Sequence, residues 1–110
     1  MEQQSPSEIA SKLAEAGHEW ADKEAAASLL EETRKSVRAQ LACEYIEGAG
    51  SAAKAELLAE ADQRYTEHLT AMVEARKQAN VARVNYDSGK IWTEMVRTAE
   101  ATKRAELQMR

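Results

Sequence analysis

The chain has 110 residues, enough for one domain or for one part of an assembly. Alanine supplies 22 of its apolar residues and phenylalanine none, while one proline and four glycines leave little material for turns. Strong helix formers dominate, so a β-sandwich, a barrel and a Rossmann domain are excluded and an all-α fold is expected. The net charge is −4, but it is unevenly spread. Residues 1–70 carry 7 basic and 14 acidic groups, whereas residues 71–110 carry 8 basic and 5 acidic ones. That asymmetry points to an anionic partner for the C-terminal part.

Along the chain, Ser5-Pro6-Ser7-Glu8 reads as a helix start, with Ser5 as cap, Pro6 at the first helical position and Glu8 closing a capping box. Ile9, Leu13 and Ala16 lead to Gly17, where a break is expected. From about Glu19 a second helical stretch runs to Ile46, with Trp20, Ala27, Leu30, Val37, Leu41 and Tyr45 spaced as a heptad-like seam. These pieces make an N-terminal helical arm over residues 7–46. Glu47-Gly48-Ala49-Gly50-Ser51 ends it, because two glycines in three residues supply the backbone conformations that a helix terminus needs.

Residues 47–61 form the bend and a short helix capped by Ser51. Asp62 caps a long helix over residues 62–108, about 69 Å in length at the helical rise. Gly89 lies inside it, but Val73, Val84, Ile91 and Met95 keep one helical phase across that glycine, so the helix is expected to continue. Two long arms joined by a bend give an antiparallel helical hairpin with coiled-coil-like packing. One seam is little core to set against ordering costs of about 1–2 kcal/mol per residue, so a homo-oligomer is expected.

Catalytic signatures are missing: there is no Gly-rich phosphate loop and no Ser/His/Asp set with a nucleophile elbow. Glu15-x-x-His18 matches half of a helical di-iron site, but Tyr65 precedes His68 where the second half needs a glutamate. No enzyme activity, metal or cofactor is expected. Cys43 is the sole cysteine and, beside Leu41 and Tyr45, reads as a small buried residue. MEQQSPSEI does not read as a signal peptide and no apolar run of membrane-spanning length occurs, so the expected location is cytoplasmic, without membrane contact.

The most specific pattern is cationic. Arg76, Arg83, Lys90, Arg97 and Arg104 recur every seventh residue, drifting only about 20° per step around the helix. They form a stripe some 42 Å long. Lys77 lies further round the helix, and Tyr86 lies on the same side, where it could stack on a base. The same spacing also suits flanking positions of a coiled coil paired with acids of a neighbouring helix. Glu15, Glu19, Asp22, Glu24, Glu31 and Glu32 of the N-terminal arm could supply those acids.

The segment Ala75–Gly89, reading A-R-K-Q-A-N-V-A-R-V-N-Y-D-S-G, resembles the central motif of UvsY-type recombination mediators of tailed bacteriophages, roughly (K/R)-A-R-(L/V)-(D/N)-Y-x-S-G. Asp62–Tyr65 and Arg97–Glu106 are similar to segments that recur in small helical phage proteins carried with recombination genes. The resemblance to the mediator motif itself covers about fifteen residues. It implies a non-enzymatic, helical, self-associating protein of the bacterial host cytoplasm that binds single-stranded DNA. Its implied protein partners are a phage recombinase or a single-strand-binding protein. The family's motif places two basic residues at the DNA site; Arg83 matches the second, while Val81 stands where the first would be, with Arg76 and Lys77 nearby. The residues expected to contact nucleic acid are therefore Arg76, Lys77, Arg83, Tyr86, Lys90, Arg97 and Arg104. The competing expectation is a structural or adaptor coiled coil that binds only protein.

Overall fold

A computed structural model describes residues 5–109; Met1–Gln4, the start of the segment read for a signal peptide, lie outside the described residues. Three helices account for nearly all of the rest: α1 (Pro6–Ala49), α2 (Ala52–Ala61) and α3 (Gln63–Gln108). No strand occurs among the described residues. Among the described residues no helix is long and apolar enough to cross a membrane.

The helix ends follow from local chemistry. The Glu8 amide donates to Ser5 Oγ at 3.2 Å, and Pro6 opens α1 as a residue whose missing N–H would have gone unpaired. Gly50 ends α1 with a φ of +80°, the left-handed conformation that side chains resist. Ser51 then caps α2 by accepting from the Lys54 amide at 3.2 Å. Asp62 separates α2 from α3, its Oδ1 accepting from the Arg64 amide at 2.8 Å.

Three sequence expectations need correction, the third being which apolar line of α3 is packed. Gly17 does not interrupt α1, which runs unbroken from Pro6 to Ala49. An interior glycine costs only about 1 kcal/mol of helix propensity. Its role is spatial: a Cβ there would lie 3.3 Å from the Tyr86 ring. Cys43 is exposed rather than buried. It follows Leu41 by two residues, or about 200° of helix, and so faces away from the packed side. At Gly89 the expected continuity holds, for α3 passes through it, and Leu13 occupies the space that a side chain would need.

The chain forms two compact units, Asp22–Ala79 and Met1–Ala21 with Asn80–Arg110. In Asp22–Ala79 the segments of α1 and α3 run antiparallel, with α2 packed beside them. Leu41, Ala59 and Tyr65 form its buried cluster, flanked by Val37, Ala42 and Leu69. Ala27, Ala55 and Ala79 are also buried. Most of the buried residues are thus alanines, which let helix axes approach closely but bring little apolar area each. The α1 seam matches expectation: Leu41 and Ala27 are buried, and Leu30, Val37 and Tyr45 are half-buried.

In the other unit, Ile9, Leu13, Ala16 and Trp20 of α1 are half-buried, with Ala82, Tyr86, Gly89, Thr93 and Val96 turned inward from α3. Their spacings of 4, 3, 4 and 3 on α3 are a heptad seam. This seam is not the apolar line chosen from the sequence. Val84, Ile91 and Met95 are exposed here, as is Val73 in the first unit. The α3 sequence carries two apolar lines, and α1 covers the less apolar one, in which Ala82, Gly89 and Thr93 flank the single large ring of Tyr86.

Candidate nucleic-acid interface

The seven-residue cationic register continues the inward seam by one position. Arg83 follows Ala82, Lys90 follows Gly89 and Arg97 follows Val96, which places all three at a line flanking the packed face. They are therefore at the edge of the α1–α3 contact, where the ends of long side chains remain in water. Arg83, Lys90, Arg97 and Arg104 are all exposed. Among the described residues none of the four forms an ion pair.

Arg76, in the Asp22–Ala79 unit, occupies the same register but is engaged. Its guanidinium donates to both carboxylate oxygens of Glu31, Nε to Oε2 at 2.9 Å and Nη2 to Oε1 at 2.7 Å, and also to Glu24. The paired guanidinium pulls the Glu31 carboxyl below its usual range, and the hydrogen bonds to Glu31 and Glu24 push the Arg76 pKa upward. A guanidinium already holding two carboxylates is a poor ligand for phosphate. Lys77 is exposed in that unit and, one residue on, points about 100° away from Arg76.

Tyr86 is half-buried rather than free to stack a base. Its ring lies 5.5 Å from that of Trp20, tilted by 33°, an arrangement worth about 0.5–1.5 kcal/mol beyond area burial. The Lys90 ammonium sits 5.8 Å from the centre of the same ring, within cation–π range. Tyr86 thus positions Lys90 and fills the gap opposite Gly17. Beside it, a groove of about 600 Å³ lies between the start of α1 and α3, lined by Ile9, Leu13, Tyr86 and Val96, with Arg97 and Glu100.

A second polar cluster was only partly visible in the sequence. Arg64 donates to Glu44 at 2.6 Å and to Asp62 at 3.0 Å, while the Tyr45 hydroxyl donates to Asp62 at 2.6 Å. The hydrogen bonds from Arg64, then that from Tyr45, hold the Asp62 carboxyl far below the usual carboxylate range. The same bond to Asp62 raises the Tyr45 phenol. Asp62 was legible as a cap; its tie to Tyr45, 17 residues earlier, was not. The cluster is structural: it joins the end of α1 to the start of α3.

His68 Nε2 donates to the Leu30 carbonyl at 2.8 Å, and His18 is exposed. No group of three or more potential metal ligands occurs among the described residues. Compared with known proteins, the chain matches no family model, no curated protein and no solved structure.

Proposed function

We propose that the chain is a non-enzymatic, self-associating helical protein that binds single-stranded DNA, serving as a mediator-like accessory of phage recombination in the bacterial cytoplasm. The contacts come from the flank of α3 that carries Arg83, Lys90, Arg97 and Arg104. What supports this reading is one observation: four exposed cations at seven-residue spacing, without ion-pair partners among the described residues, in a chain whose net charge is −4. Such a row neutralises phosphates along a strand, which is a sequence-independent mode of binding. Phage origin and a recombinase or single-strand-binding protein as partner rest on the Ala75–Gly89 resemblance alone. Arg76 is reassigned to holding α1, and Tyr86 to positioning Lys90.

The second reading, an adaptor coiled coil binding only protein, is favoured by the engagement of Arg76 with Glu24 and Glu31. A fluorescence-anisotropy titration of a single-stranded oligonucleotide at about 50 and about 200 mM salt separates the two. Three to four phosphate contacts predict a slope of roughly −2 to −3 in log K against log salt. Arg83→Ala should flatten that slope by about 0.7 without lowering the melting temperature. Arg76→Ala should leave the slope unchanged and lower the melting temperature. Absence of binding by the wild type at tens of micromolar protein in the lower salt selects the adaptor.

A further inference from the structure

The self-association in that reading needs a surface, and α3 offers one that α1 leaves bare. Val81, Val84, Ser88, Ile91, Met95 and Thr98 follow one another at spacings of 3, 4, 3, 4 and 3. This is a complete heptad seam on a stretch that already spends another seam, through Ala82, Tyr86, Gly89, Thr93 and Val96, on α1. At 3.6 residues per turn the two lines are about 150° apart. All six residues of the outer line are exposed, with Val84 at 56%, Ile91 at 59% and Met95 at 59%. Neither the line nor the flank formed by Asn85, Trp92 and Ala99 carries a charge.

We infer that this outer line is where copies of the chain pair, α3 against α3, parallel and in register. Area and charge both argue for it. Val81, Val84, Ile91, Trp92 and Met95 leave roughly 500 Å² of surface bare, toward the upper end of the largest patch that a monomer shows, a patch that is often functional. Two copies together would cover about 1,000 Å², the threshold for a specific interface. The other flank carries Asp87 and Glu94. Antiparallel pairing would set that acidic flank against its own copy. Parallel pairing sets Asp87 opposite Trp92 and Glu94 opposite Ala99 of the next copy, so no like charges meet. It also places Ser88 against Ser88 and Thr98 against Thr98, where each hydroxyl can donate and accept. Arg83, Lys90 and Arg97 lie about 130° from the outer line and stay open in the assembly.

Sedimentation of the wild type and of Ile91→Lys, with helicity followed in parallel, tests this. The wild type should sediment as a multiple of the 12.2 kDa chain, and Ile91→Lys as a single chain of unchanged helicity. Should Ile91→Lys lose helicity, Ser88→Cys in a Cys43→Ser background decides without it: parallel in-register pairing sets residue 88 against itself, so added oxidised glutathione, reduced by the two thiols, gives rapid disulfide dimers. A wild type of 12.2 kDa at tens of micromolar, or an Ile91→Lys protein of wild-type mass, overturns the inference. So does Ser88→Cys that stays associated yet uncrosslinked. If Ile91→Lys dissociates while neither protein binds DNA, the pairing stands and the DNA reading falls.

Discussion

Leu41→Ala probes the one place where, among the described residues, a large aliphatic side chain is buried. Leu41 is 5% exposed and packs with Ala59 and Tyr65, beside Val37, Ala42 and Leu69. The substitution deletes three carbon atoms, worth about 2.4 kcal/mol at ~0.8 kcal/mol each. Val37 and Leu69 are only half-buried, so they can relax into the space and keep the cavity contribution small. The expected loss is therefore about 2.5–3 kcal/mol, near the lower end of buried Leu→Ala substitutions. For a chain of this size that is roughly 10 °C in melting temperature. Leu57→Ala is the control, since Leu57 is 66% exposed, and it should change stability by less than about 0.5 kcal/mol. Urea unfolding followed by circular dichroism gives both values, at one protein concentration because association adds to apparent stability. A loss below about 1 kcal/mol for Leu41→Ala, or equal losses for the two variants, refutes the assignment of the core to this cluster.

Two glycines separated by one residue should respond in opposite directions. Gly48 is helical with open space where a Cβ would stand, so Gly48→Ala should stabilise by about 0.5–1 kcal/mol. Gly50 has a φ of +80°, so Gly50→Ala should destabilise by about 1 kcal/mol; thermal melts of the pair check both signs. Stability should also depend on acid. The Asp62 and Glu31 carboxyls are held below their unfolded values, so their contribution is complete above about pH 5 and is lost as pH falls through and below the ordinary carboxylate range near 4. Asp62→Asn should lower the melting temperature at neutral pH and shrink its decline on acidification. Parallel melting curves for the two proteins from about pH 6 to 2 would remove Asp62 from the account.

Sequence alone determined the helical class and most element ends, because helix propensity and capping are local, but it placed a break at Gly17 that α1 does not have. Ser5, Ser51 and Asp62 carry their cap chemistry in their own side chains, and Gly50 its positive φ in the absence of one. The bounds expected for α2 and α3 therefore agree with those observed. The heptad spacing of the cations was equally plain. Tertiary structure decided which face of each helix meets which. Val84-Ile91-Met95 is the more apolar of the two α3 lines, yet α1 packs on Ala82-Tyr86-Gly89-Thr93-Val96, where Gly17 and Gly89 admit Tyr86 and Leu13. Periodicity measures the apolarity of a face but not how closely two particular faces fit, and here close fit prevailed. For the same reason the cations divided: Arg76 came within reach of Glu24 and Glu31, while Arg83, Lys90, Arg97 and Arg104 formed no ion pair among the described residues. An identical register became a structural tie at one site and an open row at the others, because the partner helix presents different side chains along its length.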